Sequence, residues 1–310
     1  MTRVAAVDCG TNSVRLLVTD LDGMGSKRDV HREMQIVRLG QGVDRTGVLA
    51  PEALERTRSA LVAYAATCGR LGVEAIRMVA TSATRDARNR ADFVAMVRAA
   101  LGTDPEVVSG DEEAALSFAG ATAGLDPAAG PYLVMDIGGG STELVLGTTS
   151  VQAAVSVDVG CVRLTERHLY DDPPTAAQVA AARADVEAAL VRVRAAVPVE
   201  RARTAVGLAG SVTTVAALAL GLPRYDPVAL HGARISADQV RSVTERLLAS
   251  THAQRAAQAV VHSGRVDVIG AGALVLRTLV DGLGLSEVLV SEADILDGIA
   301  LSVPAGGPPR

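Results

Sequence analysis

Aromatic side chains are nearly missing from this 310-residue chain: four Tyr, two Phe and no Trp make up 2% of it. Its cores must therefore be packed with Val, Leu, Ile and Ala. So few rings also leave few platforms on which bases could stack, which argues against a single-stranded nucleic-acid binder. Lysine is scarcer still, since Lys27 is the only one. Without a Gly-Lys-Ser/Thr sequence there is no Walker loop, and a P-loop NTPase is excluded. The remaining basic residues are Arg, scattered rather than clustered, and the formal net charge is −5. Nothing in that pattern resembles a nucleic-acid footprint.

Cysteine is limited to Cys9, Cys68 and Cys161, none in a CxxC spacing. Isolated thiols of this kind point to reduced cysteines and a cytoplasmic protein. Met1 to Asp8 reaches an acid too soon for the apolar segment of a signal peptide. The most apolar stretch, Val206 to Leu222, is interrupted by Gly, Ser and Thr. It reads as a strand, a loop and a helix start, not as a membrane span. His31, His168, His231, His252 and His262 show no ligand spacing, and neither a cysteine nor a Ser-His-Asp nucleophile has support. What remains is an ordinary globular composition, 49% hydrophobic and 21% charged, with length for about two domains.

Two segments echo each other. Val4 to Val18 carries Asp8-Cys9-Gly10-Thr11-Asn12-Ser13 between two apolar runs, and Tyr132 to Leu146 carries Asp136-Ile137-Gly138-Gly139-Gly140-Ser141 in the same setting. Each predicts a β-hairpin with a polar, glycine-containing turn. At nearly the same offset, Ile76 to Ser82 and Thr204 to Thr214 each read as a strand entering a small-residue loop. Two echoes in one order indicate an internal duplication. Helical spacing fills the gaps over Pro51 to Cys68, Ala91 to Leu101, Ser236 to Ala249 and Ala271 to Val280. Ser109-Gly110-Asp111-Glu112 and Thr175-Ala176-Ala177-Gln178 read as capping boxes opening two more helices, to about Ala119 and Val197. Alternating strands and helices give the α/β class. The Gly- and Pro-containing stretch Gly124 to Pro131 marks the boundary, giving domains over 1–125 and 126–303, with a fraying tail over 304–310.

The strongest chemical signal is Asp136 to Glu143. Gly138, Gly139 and Gly140 let backbone approach a phosphate closely, and their N–H groups can form an anion-binding nest. Ser141 and Thr142 add hydroxyls, while Asp136 and Glu143 are hard oxygen ligands suited to Mg²⁺. The bland alternative is a tight hairpin with flanking acids. Its partner turn offers Gly10, Thr11, Asn12 and Ser13 as donors and Asp8 as a further carboxylate. Arg15 either reaches a phosphate oxygen or faces solvent. Arg85 and Arg88 either clamp phosphates bidentately or pair locally with Asp86 or Asp92. With so little positive charge overall, a polyanion would be attracted by such local groups and by metal, not by the global field.

Asp8 to Leu17, Asp136 to Leu144 and the Ala209-Gly210-Ser211 loop resemble the actin, chaperone and sugar-kinase superfamily. Within it, Ala80-Thr81-Ser82-Ala83-Thr84-Arg85-Asp86-Ala87-Arg88-Asn89 and Ser109-Gly110-Asp111-Glu112-Glu113-Ala114 resemble signatures of the exopolyphosphatase and guanosine pentaphosphate phosphohydrolase family. Val159 to Glu166 and Val266 to Ala273 are similar to it too, so the resemblance spans roughly residues 3 to 303. It implies two duplicated ribonuclease H-like domains with the active site in the cleft between them, the last helix being a candidate to pack back on the first domain. It implies inorganic polyphosphate as substrate, with guanosine pentaphosphate as the alternative, and Mg²⁺ held by Asp8, Asp136 and Glu143. It assigns Glu113 as the base that activates water; an acid in the first turn of a helix is stabilised as the anion, though such an acid can also be a plain helix cap. It places Gly210 and Ser211 in the lining of the phosphate channel, and Arg265 is where a nucleotide contact would be sought. A homodimer, no membrane and no nucleic-acid partner are further implications. A core without appended domains implies a preference for short chains. The sequence departs from the family at Ala209, where many relatives have Gly, and at Gly270, where many have Pro.

Two rivals are an ATP-dependent kinase of the same superfamily and a catalytically silent nucleotide sensor. The Glu113 motif argues against the kinase. The intact set of Asp8, Glu113, Asp136 and Glu143 argues against the sensor.

Overall fold

The computed structural model describes residues 1–22 and 27–303. The tail over 304–310 lies outside the described residues. Two units divide the chain: Met1–Gly120 with the segment from Ile295 onward, and Ala121–Asp294.

In the first unit, β1 (Thr2–Cys9), β2 (Ser13–Leu21) and β3 (Lys27–Ile36) form an antiparallel meander. Helices α1 (Val43–Thr46) and α2 (Pro51–Leu71) lead to β4 (Ala75–Ala80), which lies parallel to β1 on its free side. Then α3 (Ser82–Asp86) and α4 (Arg90–Leu101) lead to β5 (Glu106–Val107), parallel to β4, and α5 (Gly110–Thr122) follows. The strand order is β3-β2-β1-β4-β5. β1 reads as an unbroken apolar run because it is central and covered on both faces. Its alternate residues serve different cores: Ala5, Val7 and Cys9 join Leu61, Tyr64 and Phe93, whereas Ala6 joins Leu17, Val79 and Leu116. The second core is closed by the last helix, Ile295–Leu301, through Ile295, Leu296 and Ile299. A Cβ on Gly298 would lie 2.0 Å from the Leu116 carbonyl oxygen, so glycine is what lets this helix meet α5 backbone to backbone.

The second unit repeats the plan. β6 (Tyr132–Ile137), β7 (Thr142–Gly147) and β8 (Val151–Val157) form the meander. Helices α6 (Cys161–His168) and α7 (Ala176–Ala196) lead to β9 (Thr204–Leu208), parallel to β6. Helices α8 (Ala209–Ala219) and α9 (Pro227–Leu230) and the edge strand β10 (Arg234–Ser236) come next. Helices α10 (Ala237–Ala249), α11 (His252–Ala256) and α12 (Ile269–Leu283) then precede β11 (Glu287–Val290), parallel to β9. Read from the meander, β8-β7-β6-β9-β11 matches β3-β2-β1-β4-β5, with β10 added at the edge. The duplication inferred from two hairpins is thus a duplication of whole α/β units of ribonuclease H-like order. Thr175 and Ser236 close reciprocal capping boxes with Gln178 and Gln239, as their spacing predicts.

One local expectation fails. The small-residue stretch after β9 is not a loop: α8 begins at Ala209 itself, directly from the extended Leu208. The abrupt turn places Ala209 at φ 64°, in the left-handed region that costs an L-residue roughly 1–2 kcal/mol. Ala209→Gly removes that strain, and the greater freedom of glycine in the unfolded chain offsets part of the gain. The net expectation is a stabilisation of about 0.5–1 kcal/mol, measured as a raised midpoint in reversible denaturant unfolding. Gly270 falls in the first turn of α12, where no left-handed φ requires glycine.

Candidate active site

Each hairpin turn is braced from behind. Gly10 N–H donates to the Ser13 carbonyl at 2.9 Å, and Gly138 N–H donates to the Ser141 carbonyl at 3.0 Å. In the first turn the Thr11 carbonyl accepts from Gly40 N–H, and the Asn12 carbonyl accepts from Val37 and Arg38. In the second, the Gly138 carbonyl accepts from Cys161 N–H, and the Gly139 carbonyl accepts from Val162 and Arg163 N–H at the start of α6. The Gly140 carbonyl accepts from Arg163 Nε at 2.7 Å. A Cβ on Gly160 would lie 2.5 Å from the Gly139 carbonyl, which is how α6 comes so close. The carbonyls of both turns are therefore drawn to one side. Among the described residues the N–H groups of Thr11, Asn12, Gly139 and Gly140 donate no hydrogen bond. That is the arrangement a phosphate-binding nest requires.

The hydroxyls are less uniform. Thr142 Oγ1 donates to the Val159 carbonyl at 2.7 Å, so this side chain holds the hairpin together rather than facing a ligand. Thr11 Oγ1 lies 2.8 Å from Ser82 Oγ, tying the first turn to α3.

The carboxylates differ between the repeats. Asp8 and Asp136 occupy equivalent strand ends, and their register partners are Arg15 and Glu143. Register partners share a face of the sheet. In the first unit this makes an ion pair: Arg15 donates from Nε at 2.9 Å and Nη2 at 2.7 Å to Asp8 Oδ2. In the second it sets two carboxylates side by side, both buried, with Ser156 Oγ donating to Glu143 Oε1 at 2.7 Å. Among the described residues no three His, Cys, Asp or Glu side chains gather to hold a metal. Two adjacent hard carboxylates nevertheless suit Mg²⁺, which is commonly held by one or two carboxylates with water and phosphate completing its shell.

Glu113 sits in the first turn of α5 and is 8% exposed. Ser109 Oγ accepts from Glu112 N–H at 3.2 Å, the forward half of the expected capping box. The return half is not made, because the Glu112 carboxylate turns to Arg77. Arg85 provides the unexpected contact. Its Nη1 donates to Glu113 Oε2 and to the Val108 carbonyl, both at 3.0 Å. Neither the local pairing with Asp86 or Asp92 nor a purely ligand-facing role describes this Arg. Arg88 goes elsewhere: it is exposed and donates from Nη2 to the Thr46 carbonyl at 2.8 Å.

In the second unit, Gly210 and Ser211 form the first turn of α8. A Cβ on Gly210 would lie 1.2 Å from Arg265 Nη1, so the guanidinium rests on the Gly210 backbone. Ser211 is buried, with Gly272 close against its hydroxyl and Cys161 packed on the same glycine. Beside them, Tyr225 Oη is 2.7 Å from Thr213 Oγ1 and donates to Glu292 Oε1 at 2.6 Å. Burial pushes the Tyr225 phenol well above its usual range, and the Glu292 charge adds to the shift, so Tyr225 remains a neutral donor. Tyr225, Thr213 and Glu292 carry no motif; the only signal was a Tyr in a chain nearly without rings. Burial also pushes all three thiols up, Cys68 to about 11, which removes them as nucleophiles.

Comparison with known proteins gives a consistent result. The sequence matches the Ppx/GppA phosphatase family over residues 18–303. It is 51% identical to exopolyphosphatase 2 of Mycobacterium tuberculosis, over 98% of this chain and 99% of that protein. Among solved structures it is similar to an exopolyphosphatase-like protein, with a TM-score of 0.93 and 41% identity over 97% of this chain and 98% of the other. It is also similar to the Aquifex aeolicus member of the Ppx/GppA family, with a TM-score of 0.81 and 30% identity over 97% of each chain. Two ribonuclease H-like units with paired phosphate-type turns, and a family match along almost the whole sequence, place this chain in the Ppx/GppA phosphatase family.

Proposed function

We propose that this protein is an exopolyphosphatase, releasing orthophosphate from the end of inorganic polyphosphate. The observation that carries the reading is the buried Glu113 carboxylate, fixed at the start of α5 in the same unit as the Gly10–Ser13 turn. Near-full-length similarity to a relative named exopolyphosphatase supports it.

Glu113 accepts a proton from water as the water oxygen bonds to the terminal phosphorus. The bridging P–O bond breaks, the pair of electrons leaves with the shortened chain, and one orthophosphate is released. The N–H groups of Thr11 and Asn12 in the first unit, and of Gly139 and Gly140 in the second, are the candidates to hold phosphate oxygens, and catalysis of this kind is mostly positioning and charge stabilisation. Asp136 and Glu143 in the second unit and Asp8 in the first would hold Mg²⁺, directly or through water. When bound, Mg²⁺ neutralises phosphate oxygens and eases charge build-up on the leaving chain. We take the protein to act as a cytoplasmic homodimer, as the family resemblance implies; no described helix is long and apolar enough to cross a membrane.

The test is phosphate release, with Mg²⁺, from short polyphosphate, long polyphosphate, guanosine pentaphosphate and ATP in parallel. Polyphosphate should be the fastest substrate. Faster release from guanosine pentaphosphate would move the assignment to that substrate, and no release from any of the four by folded protein would overturn it.

A further inference from the structure

The pairing of Arg85 with Glu113 assigns Arg85 a role that phosphate binding alone does not describe. Arg85 lies on α3, 28 residues before Glu113 in the chain. A single nitrogen, Nη1, makes both of its side-chain bonds, one to the Val108 carbonyl and one to Glu113 Oε2. Among the described residues Nε and Nη2 make none. The Val108 carbonyl belongs to the backbone immediately before α5, so it fixes where the guanidinium sits relative to the helix that carries the base. The planar fork then fixes the direction of its remaining N–H groups. Through Ser82, α3 is also tied to Thr11 of the first phosphate turn.

We infer that Arg85 is a positioning residue for Glu113: its Nη1 holds the carboxylate in the orientation that takes a proton from water, while its other nitrogens face the terminal phosphate. The base and the reacting phosphorus are thereby referred to one rigid group. This inference rests on the exopolyphosphatase reading and on Glu113 as base.

Other charged residues of the same unit have partners of their own. Glu112, on the same turn, is paired with Arg77, which also holds Glu106. Asp8 near the end of β1 is paired with Arg15, and Asp297 of the last helix with Lys27 and Arg32. Arg85 is a cation in contact with the carboxylate itself, and a neighbouring cation favours the ionised form. Its loss should therefore raise the pH at which the base becomes competent.

A double-mutant cycle tests this, using Arg85→Gln, Arg85→Lys, Glu113→Gln and the combination Arg85→Gln/Glu113→Gln. Arg85→Gln should lower kcat by about 100-fold, the scale of a misplaced catalytic group, and move the acid limb of the kcat–pH profile upward. In the Glu113→Gln background the same change should cost less than about twofold, because residues acting as a unit are non-additive. Arg85→Lys keeps a cation and should restore part of the pH profile but little of kcat. Added guanidinium should rescue Arg85→Gln and not the double variant. Full multiplication of the two losses, or a loss confined to KM with the pH profile unmoved, would overturn the inference while leaving the enzyme reading intact. Wild-type turnover by Glu113→Gln would instead overturn Glu113 as base, and this inference with it.

Discussion

Replacing Glu113 by Gln lowers phosphate release from polyphosphate by about 10²–10⁴-fold, the range general-base catalysis contributes. The change is isosteric, and the amide oxygen can still accept from Arg85 Nη1, so the N-terminal turn of α5 keeps its geometry. What is lost is the capacity to take the proton that leaves the attacking water. The loss should therefore fall on kcat, with KM nearly unchanged and the melting temperature within a degree or so of wild type. Steady-state kinetics at saturating Mg²⁺, with a melting curve on the same preparation, check it. A variant that keeps its turnover would mean that another group receives the proton.

The second large effect concerns the side-by-side carboxylates of the second unit. Asp136→Asn or Glu143→Gln should raise the Mg²⁺ concentration needed for half-maximal activity by about 10–100-fold or more. Removing even a supporting partner of a metal ligand costs that much. Asp8→Asn should shift it less, because the Asp8 carboxylate already has Arg15 as a partner at 2.7 Å. A direct binding measurement with Mn²⁺ as a spectroscopic probe should give the same ranking without any turnover. Equal shifts for all three variants would mean that Asp8 contributes to the ion as strongly as the buried pair does.

The parts of the molecule that were legible in the sequence are those with local causes. The Asp-x-Gly-x-x-Ser turns sit between strands that pair with their immediate neighbours, so both hairpins could be read, and with them the duplication. Thr175 and Ser236 announce helices because a cap and its box partner are three residues apart. The Arg85–Glu113 contact depends on how α3 and α5 pack against the same sheet, and no spacing rule spans that distance. The Tyr225–Glu292 contact joins residues 67 positions apart and is invisible for the same reason. Arg15 was visible as a candidate, but its partner became clear only from the register that sets it opposite Asp8. The turn at Ala209 misled for a different reason. Small residues usually signal a loop, and here they are what allows a strand to pass into a helix with no loop at all.

The return of the last helix to the first sheet has a consequence during synthesis on the ribosome. Residues of the second unit, Ala121–Asp294, have all been translated before Ile295 is added. The sheet surface formed by Ala6, Leu17 and Val79 must meanwhile wait for Ile295, Leu296 and Ile299 to cover it. The portion made first is thus the portion finished last, the reverse of the usual N-terminal-first order. A nascent chain paused shortly before Ile295 would leave open to water the part of that apolar surface that Ile295, Leu296 and Ile299 cover in the folded protein.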